Sequence, residues 1–273
     1  SLHLATATMN ITAIGIFSIV GYLAATGLLI RETVTENTQK PSIYLGWFGA
    51  SAHGIYTLTI IEQQSGLNFG FFDTASLVSM LVALLILFAI FDKPVEKLGI
   101  AVFPMAAILL GLDMAFPHKT QTSPSYDWPM SVHILTSIAA FSLLNVAALQ
   151  ALLLAIQDRQ LRSHNPRRII RSLPPLQAME SLLFQMIGAG LFFLTISLVS
   201  GALFIDDLFA QHLVHKTVLS IVAWIIFSGL LLGRIRYGWR GHIAIRWTLA
   251  GFVLLLLAYF GSKLVLEIIL QKR

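Results

Sequence analysis

The stretch FAQHLVHKTVLSIVAW, residues 209–224, sets His212 and His215 three positions apart just ahead of a long apolar run. Residues at that spacing share one face of a helix, so two imidazoles can be aimed at one point. His53, in GWFGASAHGIYTL, and His133, in DWPMSVHILTSIAAFSLL, also stand in or at the head of apolar stretches. An imidazole at membrane depth is costly without a partner, and such groups face a bundle interior or a cavity and carry function. Two readings of His53 follow: a ligand beside a flat group admitted by Gly49, Ala50, Ser51, Ala52 and Gly54, or a ring hydrogen-bonded to the backbone of a neighbouring helix.

The chemistry open to such imidazoles is metal ligation. Zinc wants three or four ligands in tight geometry, and HLVH lacks the glutamate that follows the first histidine of HExxH. Haem iron accepts two axial imidazoles, and the porphyrin needs an apolar slot with cations for its propionates. With no cysteine in the chain, covalent attachment through its own thiols is excluded and haem b is the expected form. Lys119 and Lys216 are the cations placed to meet propionates, and His133, His215 and His53 the axial candidates, with His212 behind His215. Asp113, Glu180 and the Lys263/Glu267 pair are the other charges at the margins of apolar stretches, the pair four apart and able to neutralise itself.

The elements that must carry these residues are membrane helices. Of 273 residues, 56% are hydrophobic and 11% charged, far from the composition of soluble domains. Stretches long enough to cross about 30 Å of hydrocarbon fall near 9–30, 42–62, 74–91, 98–116, 130–156, 178–204, 217–233 and 245–270. The expected fold is an all-α polytopic bundle of eight transmembrane helices in one integral membrane domain, residues 1–273. TATMNITAIGIFSIVGYLAATGLLI lacks a preceding basic residue and is too long for a signal-peptide core, so it reads as a retained helix. Pro174 and Pro175 suit the first turn of a helix beginning near Leu176. Trp128 and Tyr126 fit an interfacial aromatic belt. Gly188, Gly190, Gly201, Ser197 and Ser200 are small residues of the kind that let membrane helices pack closely.

Basic residues set the orientation. Thirteen of the eighteen lie in alternate connections: Arg31 and Lys40; Lys93 and Lys97; Arg159, Arg162, Arg167, Arg168 and Arg171; Arg234, Arg236, Arg240 and Arg246. Those connections are expected in the cytoplasm and both termini on the outer, periplasmic side. His164 and His242 then lie among cytoplasmic arginines as solvated residues, His3 in the N-terminal tail, and His53, His118, His133, His212 and His215 in the membrane or on its outer side. The basic loops meet anionic lipid; nucleic-acid binding has no aromatic or fold support.

Three runs in order, SLLFQMIGAGLFFLTISLVSGALF, HKTVLSIVAWIIFSGLLLGRIRYGWRG and WTLAGFVLLLLAYFGSKLV, resemble the C-terminal half of the cytochrome c assembly membrane proteins (CcsA/CcmC-related), most of all the eight-helix HemX/YpjD-like branch. The similarity is strongest over about 130–270, and its most specific stretches are LTxxxxSGxxF at 194–204 and SIVAW followed by GWRG. The resemblance implies that His133 stands where an outer-side histidine at the head of a span is an axial haem ligand. By order and environment His53 matches a histidine that ligates a membrane-embedded haem in some members. A WGxxWxWDPK segment is not found; IDDLFAQHLVHKT takes its place, with His215 and Lys216 near its Pro-Lys end. A second outer histidine after the last span is also missing from EIILQKR. The expectation is that His215, or in its place His212, faces His133.

The implied function is a haem-binding protein of the bacterial inner membrane, multi-pass, engaged in cytochrome c biogenesis and haem handling or delivery on the outer side, without bond-making catalysis of its own. Its implied partners are the bilayer, haem and other membrane proteins of haem or cytochrome maturation. Two other classes compete. One is a non-haem regulatory or scaffolding subunit built on the same bundle, with its histidines as packing or proton-sensing groups. The other is a small-molecule transporter, which calls for midplane acidic residues and broken inverted repeats that the sequence does not display.

Overall fold

The computed structural model describes residues 2–35, 40–64, 71–116, 128–162, 173–204 and 214–261. They form eight helices: α1 (Leu2–Thr35), α2 (Pro41–Gln64), α3 (Phe71–Ala89), α4 (Gly99–Ala115), α5 (Trp128–Arg162), α6 (Leu176–Phe204), α7 (Val214–Tyr237) and α8 (His242–Leu256). A short 3₁₀ turn, Glu96–Leu98, precedes α4, and α8 runs into a π turn, Leu257–Gly261. No strand occurs among the described residues. Seven of the described helices are long and apolar enough to cross a membrane, and α2 is not among them. Its 24 residues reach about 36 Å at about 1.5 Å per residue, but Gly46, Gly49, Gly54, Ser51, His53, Thr57 and Thr59 dilute its apolar content. Large apolar side chains such as Phe17, Phe192 and Leu232 point outward, more than half exposed, the pattern of a surface facing lipid.

The chain divides into two compact units, residues 1–125 and 126–273. In the first, α1 packs on α2 and α4, and α3 on α2 and α4, around a core containing Tyr22, Ile86, Leu87, Phe103 and Leu110. Helices in lipid gain little from apolar burial against one another and rely on close packing of small residues and on polar bonds. The α1–α2 contact follows that rule. A Cβ on Gly21 would lie 3.0 Å from the Gly49 Cα, and one on Gly49 would lie 3.0 Å from the Tyr22 nitrogen. At this crossing Ser18 Oγ donates to the Gly49 carbonyl at 2.8 Å. The N-terminus of α2 is held by buried Glu32 of α1, whose carboxylate accepts from Ser42 N at 2.9 Å and from Ser42 Oγ at 2.5 Å. An acidic group there satisfies free N–H donors and complements the helix dipole.

In the second unit α5 packs on α6 and α8, and α7 on α6 and α8, around Phe141, Leu144, Leu154, Leu183, Ile187 and Phe227. Leu144 fits against Gly190, and Gln150 Nε2 and Gln157 Nε2 of α5 donate to the carbonyls of Met179 and Pro174 at 3.2 and 2.8 Å. Helix α6 starts at Leu176, with Ala178 N and Met179 N donating to the Pro175 carbonyl, as the two prolines predict. The GWRG connection turns through Gly238 and Gly241 at φ +66° and +59°, where a side chain is strained. Trp239 lies against Gly233, and Glu180 accepts from Gly241 N at 2.6 Å.

Ion pairs show which ends carry the basic residues. In the first unit Lys40 meets Glu96 at 3.0 Å, so the α1–α2 and α3–α4 connections share one end. In the second, His242 meets Asp158 at 3.1 Å, which with Glu180 and Gly241 gathers the C-terminus of α5, the N-terminus of α6 and the α7–α8 turn. Within each unit the described basic connections therefore lie together, and the histidines of interest lie away from them.

Candidate functional site

His133 stands in the second turn of α5, half-buried against α6. Its Nδ1 lies 2.8 Å from the backbone oxygen of Ser197 and 3.3 Å from Ser200 Oγ. A carbonyl oxygen only accepts, so Nδ1 carries the proton and Nε2 keeps its lone pair. No hydrogen bond to Nε2 occurs among the described residues. The ring can lie so close because residue 201 is glycine: a Cβ there would sit 3.0 Å from His133 Cε1 and 3.2 Å from Nδ1. Ser197 and Ser200, with Gly201, therefore seat an imidazole; their role goes beyond the helix packing expected of them. Among the small residues of α6, Gly190 does serve packing, and Gly188 has nothing within 4 Å of a Cβ.

The polar line continues inward. Ser197 Oγ meets Ser137 Oγ of α5 at 2.5 Å. In the π turn, half-buried Tyr259 stacks on Phe141 with centroids 4.7 Å apart. Trp224 Nε1 of α7 donates to Thr195 Oγ1 at 2.9 Å, joining the SIVAW stretch to LTxxxxSGxxF.

His215 lies in the first turn of α7, exposed, with Lys216 half-buried next to it. Helix α7 ends at the turn bound by Glu180, so its N-terminus lies at the opposite end of the unit, as does that of α5. The hydrogen bonds of His133 go to Ser197 and Ser200, and none goes to His215. His212, His118, His164, Lys119, Tyr126, the arginines at 167, 168 and 171 and the Lys263/Glu267 pair lie outside the described residues. No group of three or more potential metal-binding side chains occurs among the described residues, and one or two imidazoles from protein suit an iron already held by a porphyrin.

His53 is placed differently. It is fully buried in the middle of α2. Its Nδ1 is 3.4 Å from the Tyr22 hydroxyl and its Nε2 is 3.0 Å from Ser76 Oγ. The Tyr22 ring meets it edge-on at 5.9 Å and stacks on Phe103. Both nitrogens are engaged, by side chains of α1 and α3 where the sequence suggested a backbone, and one bond must open before His53 can meet an iron. Asp113 of α4 lies near Ser76 and Asp73 of α3. Sequence reading set Asp113 at a span margin and found no acidic pair, because Asp73 and Asp113 are forty residues apart and only the α3–α4 packing brings them together.

The family described as cytochrome C assembly protein matches residues 41–270, well beyond the C-terminal half that carries the plainest motifs. The inner membrane protein YpjD of Escherichia coli K12 is 30% identical over 258 residues, covering 93% of this chain and 98% of the relative. The cytochrome c biogenesis protein CcsA of Guillardia theta is 23% identical over 252 residues, 81% of this chain and 83% of the relative. The protein of the same name from Prochlorococcus marinus is 28% identical over 90 residues, 32% of this chain and 29% of the relative. No solved structure matches the chain significantly. With no strand and seven membrane-capable helices among the described residues, and a family match over most of its length, the chain is a multi-pass inner-membrane protein that belongs to the cytochrome c assembly protein family.

Proposed function

We propose that this protein binds haem at the outer side of the inner membrane and handles or delivers it for cytochrome c biogenesis, without bond-making catalysis of its own. The observation that carries the reading is the His133–Ser197 bond of 2.8 Å. A ligating histidine typically donates its other ring N–H to a carbonyl or carboxylate, which fixes the tautomer and raises the basicity of the ligating nitrogen. His133 has that arrangement already, with Nε2 as the coordinating atom. Bound haem would supply an iron centre whose axial positions accept neutral imidazole. His215 is the proposed opposing ligand, from the N-terminal turn of α7, and Lys216 beside it supplies positive charge for a propionate. His53 serves the first unit by tying α1, α2 and α3 together; the geometry of His133 makes no demand on it.

Titration of ferric haem into the detergent-solubilised full chain tests this. A saturable Soret band with a bis-imidazole low-spin spectrum, lost in His133→Ala, is the expected result. A preparation that stays colourless and gains no such band favours the regulatory or scaffolding reading and overturns the haem assignment.

A further inference from the structure

His133 is described above by what it touches; what keeps it in that pose extends further. The Ser197 carbonyl accepts from both His133 Nδ1–H and Ser200 Oγ, the latter at 3.0 Å. One helical turn along α5 from His133, the Ser137 hydroxyl bonds the Ser197 hydroxyl at 2.5 Å. Helices α5 and α6 are thus joined twice beside His133: by the ring's own bond to the Ser197 carbonyl and, one turn on, by the hydroxyl pair of Ser137 and Ser197.

We propose that Ser137 and Gly201 are positioning residues for His133: the Ser137–Ser197 hydroxyl pair fixes α6 against α5 so that the Ser197 carbonyl selects the tautomer with Nε2 open, while Gly201 gives the ring its seat. The inference deepens the haem reading and rests on it for its purpose, but its physical content concerns the haem-free protein. Neither ligates iron, so each acts through His133. Ser137→Ala removes one hydroxyl of the pair, and Ser137→Thr restores it. Gly201→Ala places a methyl 3.0 Å from His133 Cε1 and 3.2 Å from Nδ1 and must displace the ring.

The test has two readouts on the full chain in detergent. Nitrogen-15 spectra of labelled histidine in the haem-free protein report the tautomer of His133, assigned by its loss in His133→Ala. Ferric haem titration reports affinity and spin state. The wild type should show His133 protonated at Nδ1 alone. Ser137→Ala and Gly201→Ala should each mix the tautomers or shift the signal, and lower haem affinity on the order of 10- to 100-fold, the usual cost of losing a group that orients a ligand. Ser137→Thr should return both readouts to wild type. If the wild type binds no haem while the tautomer responds as stated, the haem reading fails and the positioning stands. If haem binds through His133 while both substitutions leave tautomer and affinity unchanged, the positioning is overturned. Since Gly201→Ala risks misfolding, Ser137→Ala decides whenever its helical content and thermal midpoint match wild type.

Discussion

The Nδ1 of His133 sits 2.8 Å from the backbone oxygen of Ser197, sixty-four residues away in sequence. That one bond converts a histidine at the head of a helix into a group with a defined chemical state. It also fixes what its removal does. His133→Ala should cost more haem affinity than the roughly 10- to 100-fold lost with an outer-shell partner, and leave a high-spin or weakened spectrum. Added imidazole should restore part of the low-spin signal, because the vacated volume admits a small ligand. Absorbance and electron paramagnetic resonance spectra of the reconstituted protein check both points.

His215 offers the complementary test. It is exposed in the first turn of α7, so its substitution should leave folding intact. His215→Ala should alter the spin state of bound haem as His133→Ala does, while Lys216→Ala should weaken retention and leave the spectrum unchanged. If His215→Ala is silent and His133→Ala is not, the opposing ligand lies elsewhere, with His212 the first residue to examine.

For His53 the direction reverses. Its imidazole joins Tyr22 and Ser76 inside a fully buried site, so His53→Ala leaves both hydroxyls without that partner. Each buried group left unsatisfied costs about 1–3 kcal/mol, and the empty volume adds to that. Thermal unfolding in detergent should show a clear loss, with the spectrum of haem bound through His133 unchanged. A change of spectrum without a loss of stability would make His53 an iron ligand.

The sequence made the helices legible because hydropathy and length decide them: the apolar stretches near 74–91, 98–116, 178–204 and 217–233 correspond to α3, α4, α6 and α7 within a few residues. It made His133 visible as a position, through its place at the head of a span. It did not reveal what holds His133, because Ser197, Ser200 and Gly201 look the same in sequence whether they pack a helix or seat an imidazole. The SG pair inside LTxxxxSGxxF was the available signal. Nor did it reveal the bonding of His53, since Tyr22 and Ser76 lie 31 and 23 residues away on other helices. The π turn at Leu257–Gly261 lies in an unbroken apolar run and left no mark.

The pair of Asp113 and Asp73 yields a fourth expectation. Two carboxylates this near each other repel when both are charged. Asp113→Asn removes one charge, keeps the side-chain shape and should be tolerated. Asp113→Ala removes the side chain beside Asp73 and Ser76 and should lower the unfolding midpoint. Matching unfolding midpoints for the two variants would show that the contact contributes nothing.

Orientation is the last expectation. In the first unit the Lys40–Glu96 pair holds the two basic connections at one end, and in the second the His242–Asp158 pair and the Glu180–Gly241 bond do the same. Within each unit, then, the basic residues are gathered by contacts as well as by alternation in sequence. An excess of Lys and Arg in short loops marks the cytoplasmic side, and on that rule His133 and the N-terminal turn of α7 are expected on the outer side. Reporters fused at Arg168 and Arg240 should signal cytoplasm, and reporters at Ser123 and at the C-terminus should signal the periplasm. A cytoplasmic signal at Ser123 together with a periplasmic one at Arg168 would turn α5 over, carry His133 to the inner face and remove the basis for haem delivery outside.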